Sequence, residues 1–139
     1  MPIEKLCREK GLRMTPQRRV IAAVLSHSHD HPDVDTVYKR AVKIDSNISI
    51  ATVYRTVRLL EDAQILERHD FHKGKEGKSR FEEKTGKHHD HLVDLRSGKV
   101  VEFVNDEIEK LQKNIAKKLG YKLVDHRLEL YCVPIKKKD

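Results

Sequence analysis

The chain has 139 residues, of which 37% are charged and 37% are hydrophobic, and its formal net charge is +7. This length permits one ordinary domain or two small ones, and the positive charge favours a polyanionic partner such as nucleic acid over a pocket for acidic substrates. The two cysteines exclude a disulfide framework and a four-thiolate zinc site within one chain, and no apolar run approaches the roughly 20 residues that cross a bilayer.

The positive charge is concentrated in the N-terminal part. Residues 1–80 contain 16 Lys and Arg against 11 Asp and Glu, whereas residues 81–139 contain 13 against 11. The first part is therefore the better candidate for contact with nucleic acid. No secretory or lipidation signal opens the chain, so we expect a cytoplasmic protein that makes no membrane contact.

Four helices are predicted in the first 63 residues. The first runs from Ile3 to Lys10 and is closed by Gly11, which readily takes the left-handed conformation after a helix. Each of the next three begins after a residue whose side chain can cap a helix N-terminus. These N-caps are Thr15, Asp33 and Ser49.

The fourth helix, from Ile50 to about Ala63, is predicted to have one apolar and one basic face. Helical spacing places its apolar residues on the core side: Ile50, Val53, Val57 and Leu60. At about 100° per residue, the opposite side presents Ala51, Tyr54, Arg55 and Arg58. A small residue, an aromatic and two arginines suit a recognition helix in a DNA major groove, although an ordinary surface helix is the alternative.

Two strands are predicted after this helix. Residues 65–71 and 79–82 flank a mostly basic, glycine-containing turn at residues 72–78. Helices followed by such a hairpin indicate a winged helix, with lysines of the wing placed to meet phosphate. The alternative is an exposed tip with no partner.

The segment from Lys87 to Leu92 contains three histidines and a carboxylate in four consecutive positions: His88, His89, Asp90 and His91. In a β-strand, side chains alternate between faces, so His89 and His91 point one way while His88 and Asp90 point the other. Histidine nitrogen together with carboxylate oxygen suits Zn²⁺, Fe²⁺ and Mn²⁺. The strand therefore offers ligands to two metal sites, and a histidine-rich surface loop is the alternative.

The C-terminal part is predicted to be a small α+β unit. A hairpin turn at residues 96–99 joins the histidine strand to a strand at residues 100–103. Asp106 is the predicted N-cap of a helix ended by Gly120, and residues 121–133 form a last strand or strand pair. A unit of about 50 residues buries little surface alone, so we expect it to dimerise, which would also pair two recognition helices on a palindromic DNA site.

Three motifs together resemble the ferric uptake regulator family. They are the run from Arg13 to Arg19, the run from Ile50 to Thr56, and His88-His89-Asp90-His91 followed by residues 98–103. The resemblance covers nearly the whole chain in the right order. It implies an N-terminal winged-helix DNA-binding domain at residues 1–83, a hinge at 84–86, and a C-terminal α/β domain for dimerisation and metal binding at 87–139.

The resemblance also implies two metal sites. The regulatory site at the hinge would contain His31, Glu82, His89, His91 and Glu102. The second site would contain His88, Asp90, Glu109 and His126. For Glu109 the alternative is a capping box, in which its carboxylate reaches back to the N–H of Asp106. For His126 the alternative is a core histidine with satisfied hydrogen bonds.

One departure from the family pattern concerns structural zinc. Many members carry a Cys-x-x-Cys after the histidine strand, and the matching positions here are Asp94 and Ser97. A structural Cys₄ zinc site is therefore not expected, because Cys132 has no thiol partners with which to rebuild it. The resemblance is to a member without these cysteines, of the iron-responsive or the manganese-responsive type.

The predicted function is repression of metal-uptake genes by a homodimer, with Fe(II) or Mn(II) as corepressor and Zn(II) possible. The operator would be double-stranded, palindromic and A·T-rich, with Arg13 in its narrow minor groove. The predicted DNA contacts are Arg13, Thr52, Tyr54, Arg55, Arg58, Lys73 and Lys75. The alternatives are a zinc- or peroxide-responsive regulator, a DNA-binding protein that ignores metal, and a metal-dependent hydrolase, for which five protein ligands leave little room for substrate.

Overall fold

The computed structural model describes residues 2–71, 79–84 and 88–136. It divides into two compact units, Met1–Gly86 and Lys87–Asp139, which we call unit 1 and unit 2. The predicted wing tip, with Lys73 and Lys75, lies outside the described residues, as does most of the predicted hinge. Among the helices described, none is long and apolar enough to cross a membrane.

Unit 1 begins with four helices: α1 (Ile3–Glu9), α2 (Pro16–Ser26), α3 (Val34–Val42) and α4 (Ile50–Asp62). The three predicted N-caps are confirmed, because the side chains of Thr15, Asp33 and Ser49 accept hydrogen bonds from backbone N–H groups in the first turns. Gly11 has φ +75, as expected for the residue that ends α1. Local capping therefore determines where these helices begin.

The helices of unit 1 pack around one apolar core. Ile21, Val37, Val53 and Leu60, from α2, α3 and α4, are all at most 2% exposed. The predicted apolar face of α4 is wrong at one position, since Ile50 is 41% exposed and Thr56 is buried instead. Ile50 is the first residue of α4, where the helix has not yet reached the core, whereas Thr56 lies beside Val53 and Leu60.

A two-stranded antiparallel sheet completes unit 1, formed by β1 (Leu66–His69) and β2 (Arg80–Glu83). Glu67 lies opposite Glu82, and His69 lies opposite Arg80. Residues directly opposite share a face, so these four side chains lie on one side of the hairpin. Phe81, on the other side, is buried in the helical core. This order of helices and hairpin is that of the predicted winged helix.

Unit 2 contains β3 (Asp90–Asp94), β4 (Val100–Phe103), α5 (Asp106–Lys118) and β5 (Glu129–Cys132). Its sheet has the order β4-β3-β5, with β3 antiparallel to β4 and parallel to β5. The predicted last strand was too long, because residues 121–128 are not in a strand. A parallel neighbour needs a long crossover, and α5 together with this segment supplies it.

The N-cap of α5 is Asn105 rather than the predicted Asp106. The Asn105 side chain accepts a hydrogen bond from the N–H of Ile108, at 3.1 Å. The position that a capping box requires is therefore occupied by Ile108, and Glu109 is one residue further on. The capping-box alternative for Glu109 is wrong, so its carboxylate is available elsewhere.

Candidate metal sites and nucleic-acid face

The histidine segment leads directly into β3 at the centre of the unit 2 sheet. Asp90 and His91 are buried, and their neighbours His88 and His89 precede the strand. His88 Nε2 lies 2.9 Å from Asp90 Oδ1, while the rings of His89 and His91 lie 5.0 Å apart, edge to face. The alternation expected of a strand therefore separates the four side chains into two pairs.

The first pair belongs to a cluster of four donors within unit 2. His126 Nε2 lies 2.9 Å from Asp90 Oδ1 and 3.0 Å from His88 Nε2, and Glu109 Oε1 lies 3.5 Å from His88 Nε2. One ligand atom from each of these residues lies within 4.8 Å of the others. Three separate parts of unit 2 supply them: the start of β3, α5, and the segment before β5.

This cluster fits a divalent cation. Two nitrogens bound to one tetrahedral Zn²⁺ at about 2.0–2.1 Å would lie about 3.3 Å apart, close to the separation of the two histidine nitrogens. Asp90 is only 1% exposed, and its Oδ2 has no hydrogen-bond partner in the described part of the chain. A buried carboxylate with a spare oxygen beside two histidines is stabilised by nearby positive charge, which a bound divalent ion would supply.

The second pair lies at the start of β3, beside β4, with His91 in the strand and His89 just before it. His91 is opposite Glu102 in the strand register, and His89 Nε2 lies 3.2 Å from Glu102 Oε1. Two imidazoles and one carboxylate thus converge on one face of unit 2. This set offers three donors, which is an open coordination site rather than a closed one.

Unit 1 brings His31 and Glu82 together. His31 is 3% exposed, and its Nε2 lies 2.8 Å from Glu82 Oε2. Glu82 is supplied by β2, and His31 by the loop between α2 and α3. A nitrogen and a carboxylate oxygen at this separation suit the same class of cation as the donors of unit 2.

The backbone of the His31 loop is held in an uncommon conformation. His31 has φ 54, a left-handed value that costs energy for a residue with a side chain. Arg80 donates hydrogen bonds to the carbonyl oxygens of His31 and Asp30, and burial lowers the pKa of Arg80. Because Arg80 and Glu82 are two residues apart on β2, one strand supplies the carboxylate and fixes the loop that carries its partner.

The side chain of Asp30 anchors the same loop to α3. Both of its oxygens accept hydrogen bonds from Arg40, at 2.9 and 2.6 Å, and this pairing lowers the pKa of Asp30. A bidentate pair fixes orientation as well as distance. The loop is thus held by an arginine on each side, Arg40 and Arg80.

His69 is the residue of this region that the sequence pattern did not single out. It is 2% exposed, and its Nε2 lies 2.6 Å from Glu82 Oε1. The signal for it was present but ambiguous, since Glu67 and His69 share one face of a predicted strand. Only the register between β1 and β2 shows that this face is the one that carries Glu82.

The outward face of α4 carries the predicted DNA-contacting residues. Tyr54 is 56% exposed, Arg55 and Arg58 are exposed, and Thr52 is half-buried beside the N-cap Ser49. Arg13 is exposed in the loop before α2, and its carbonyl accepts a hydrogen bond from Arg18. An exposed tyrosine beside two arginines on a helix is a surface suited to phosphate and base edges.

The positions where many relatives carry zinc-binding cysteines form part of a turn here. Asp94 accepts hydrogen bonds from the N–H of Arg96 and the hydroxyl of Ser97, both at 2.8 Å. These bonds lower the pKa of Asp94. The carboxylate and the hydroxyl therefore stabilise the β3–β4 turn by hydrogen bonds.

Comparisons with known proteins place this geometry in context. The model of the ferric uptake regulator family matches residues 9–131. The ferric uptake regulation protein of Rhizobium leguminosarum bv. viciae is 59% identical over 137 residues, which are 99% of this chain and 94% of that protein. A zinc-bound manganese uptake regulator is 57% identical, with a TM-score of 0.86 and coverage of 97% of this chain and 100% of that one.

A more distant solved structure is the ferric uptake regulator of Helicobacter pylori, which is described as having three functional metal binding sites. It is 27% identical to this chain and has a TM-score of 0.83. The match covers 99% of this chain and 91% of that one.

Proposed function

The chain belongs to the ferric uptake regulator family, and we propose that it represses metal-uptake genes with Fe(II) or Mn(II) as its corepressor. It is a metal-dependent transcriptional repressor that binds DNA as a dimer, and it is not an enzyme. The hydrolase alternative is therefore set aside. The single observation that supports this function best is the division of metal-ligand donors between unit 1 and unit 2.

We propose that the donors of both units bind one ion. His31 and Glu82 of unit 1 would join His89, His91 and Glu102 of unit 2 as the regulatory site. Neither unit alone offers this full set, so binding would favour the arrangement of the units in which all five donors reach the ion. The ion, when bound, would add positive charge beside Glu82 and Glu102, and the five residues would fix its position.

The donor set does not select one metal by itself. It contains nitrogen and oxygen but no thiolate, so iron, manganese and zinc all fit, and availability in the cell decides. The names of similar proteins include iron, manganese and zinc. We favour Fe(II) or Mn(II) at the regulatory site, and Glu102, where the family's peroxide sensors carry aspartate, argues against oxidation sensing.

The test is metal content after purification, together with operator binding titrated with each ion. We expect Mn²⁺ or Fe²⁺ to raise operator affinity at least tenfold at micromolar concentrations, about 1.4 kcal/mol of coupling. Chelated protein should bind weakly. Equal affinity in the metal-free and metal-loaded forms would instead support the metal-independent DNA-binding protein.

The second site, His88, Asp90, Glu109 and His126, is proposed to hold unit 2 together. Those donors come from three segments that are distant in sequence, so an ion bound by all of them would cross-link the unit. With no structural Cys₄ site available, this cluster would take over part of that stabilising role. Zn²⁺ suits its two nitrogens and two carboxylates.

Dimerisation would use the apolar surface of unit 2. No residue of α5 is buried, so its apolar side chains are open to solvent: Leu111 is 60% exposed, and Leu119, the C-cap of the helix, is 71% exposed. A helix with such an apolar face needs a cover, and a second copy of the chain supplies one. The resulting twofold symmetry would present two α4 helices to a palindromic, A·T-rich operator in the cytoplasm.

Arg13→Ala is expected to weaken operator binding most at sites with A·T-rich flanks. An arginine in a narrow minor groove benefits from the strong negative potential there, and the expected loss is about 1–3 kcal/mol of binding free energy. Binding to operators with A·T-rich and G·C-rich flanks, measured by fluorescence anisotropy, checks this. Arg127→Ala, at an exposed arginine of unit 2, is the control. Equal losses on both operators would make Arg13 a phosphate contact only.

A further inference from the structure

His69 is a buried histidine on β1 that contacts the carboxylate of Glu82. We propose that His69 is a positioning residue for metal binding: it holds one oxygen of Glu82 so that the other is presented beside His31. This inference rests on the proposed regulatory site and deepens it, because it names a residue that acts on that site through Glu82.

The carboxylate of Glu82 lies between two imidazoles. Its Oε1 lies 2.6 Å from His69 Nε2, and its Oε2 lies 2.8 Å from His31 Nε2. Each oxygen thus has its own histidine, and the plane of the carboxylate is fixed by both. Because Oε1 contacts His69, Oε2 lies on the side of His31. Oε2 is the oxygen that an ion shared with His31 would bind.

The ring of His69 is itself held by packing. It stacks on Phe71 with ring centroids 4.9 Å apart and planes within 10° of parallel, and it meets the edge of His31 at 5.9 Å. Phe71 is 4% exposed. A ring locked in this way holds its hydrogen-bond partner without losing further side-chain freedom when metal binds, which is how residues behind a ligand raise metal affinity.

A direct ligand role for His69 is the competing explanation. Ligand atoms of Glu67, His69 and Glu82 lie within 4.8 Å of one another. Glu67, however, is exposed, whereas His69 and Glu82 are already within hydrogen-bond distance in a buried setting. The contacts therefore favour a hydrogen bond to the ligand over ligation by His69.

The test uses full-length protein carrying His69→Leu or His69→Gln, alone and combined with Glu82→Ala. Mn²⁺ affinity is measured by chelator competition, and circular dichroism of the same samples shows that unit 1, which contains helices α1 to α4, remains folded. We expect His69→Leu to weaken Mn²⁺ binding about 10- to 100-fold. His69→Gln should recover part of this, because its amide can still donate. His27→Leu, at an exposed histidine of unit 1, is the matched control.

The double variants decide between positioning and ligation. If His69 acts through Glu82, His69→Leu causes no further loss of Mn²⁺ affinity once Glu82 is alanine. An undiminished further loss would make His69 a ligand and overturn the positioning role, as would normal affinity in the single variant. If Glu82→Ala itself leaves Mn²⁺ affinity unchanged, the proposed regulatory site fails as well, which is a distinct result.

Discussion

Replacing His89 and His91 together by alanine is expected to abolish the metal dependence of operator binding. The two imidazoles are two of the three donors that unit 2 would contribute to the proposed regulatory site, and only Glu102 would remain. An ion bound by unit 1 alone has the same affinity for every arrangement of the two units. Such an ion cannot shift the equilibrium between an arrangement that binds DNA and one that does not. The ratio of operator affinities with and without Mn²⁺ should therefore fall from at least tenfold to about one.

The measurement is fluorescence anisotropy of labelled operator, titrated with protein in Mn²⁺ and in chelator. The matched control replaces His27 and His29, two exposed histidines of unit 1, by alanine, and it should retain the full metal response. Because His91 is buried, circular dichroism must show that the double variant remains folded. A metal-driven rise in affinity that survives in the folded variant would show that the regulatory site is misassigned.

Asp90→Asn is expected to remove most of the stabilisation that we propose Zn²⁺ gives to unit 2. Asp90 is the most buried residue of the second site, and its Oδ1 lies 2.9 Å from Nε2 of both His88 and His126. Asparagine keeps the size of the side chain but replaces the charged carboxylate ligand with a neutral amide, whose oxygen is a much weaker ligand for Zn²⁺. An ion that binds only the folded protein contributes about 2.7 kcal/mol at a hundred times its Kd, and the variant should lose most of this.

Thermal unfolding of the metal-free protein, with and without added Zn²⁺, measures the effect at one protein concentration. Asp106→Asn, at an exposed carboxylate of α5, serves as the control and should respond to Zn²⁺ as the unaltered chain does. Comparable Zn²⁺ stabilisation of the Asp90 variant would show that another set of donors holds the ion. Loss of the effect in both variants would point to net charge rather than coordination.

The elements of unit 1 follow largely from local sequence. Thr15, Asp33 and Ser49 cap helices where the pattern predicts them, because a cap depends only on a side chain and the N–H groups a few residues later. Local reasoning failed where two neighbours competed for one role. Asn105 and Asp106 can both cap a helix, and the path of the chain leaving β4 decided for Asn105.

The two faces of the histidine strand were also determined locally, because alternation is a property of any strand. Local sequence does not determine which distant residues contact those two faces. The pairing of Asp90 with His126 spans 36 residues, and the family resemblance rather than the pattern suggested it. His69 was missed because its role depends on the register of β1 against β2, which no short-range pattern contains.

The sequence by itself determined the helix starts, the basic face around Tyr54 and Arg55, and the presence of nitrogen and oxygen donors without a cysteine cluster. Only the tertiary structure decided which donors converge: Glu82 between His31 and His69, and Asp90 between His88 and His126. The physical reason is the distance along the chain over which each kind of interaction acts. Capping and periodicity act over a few residues, whereas ligand sites depend on strand register and packing between segments far apart in the chain.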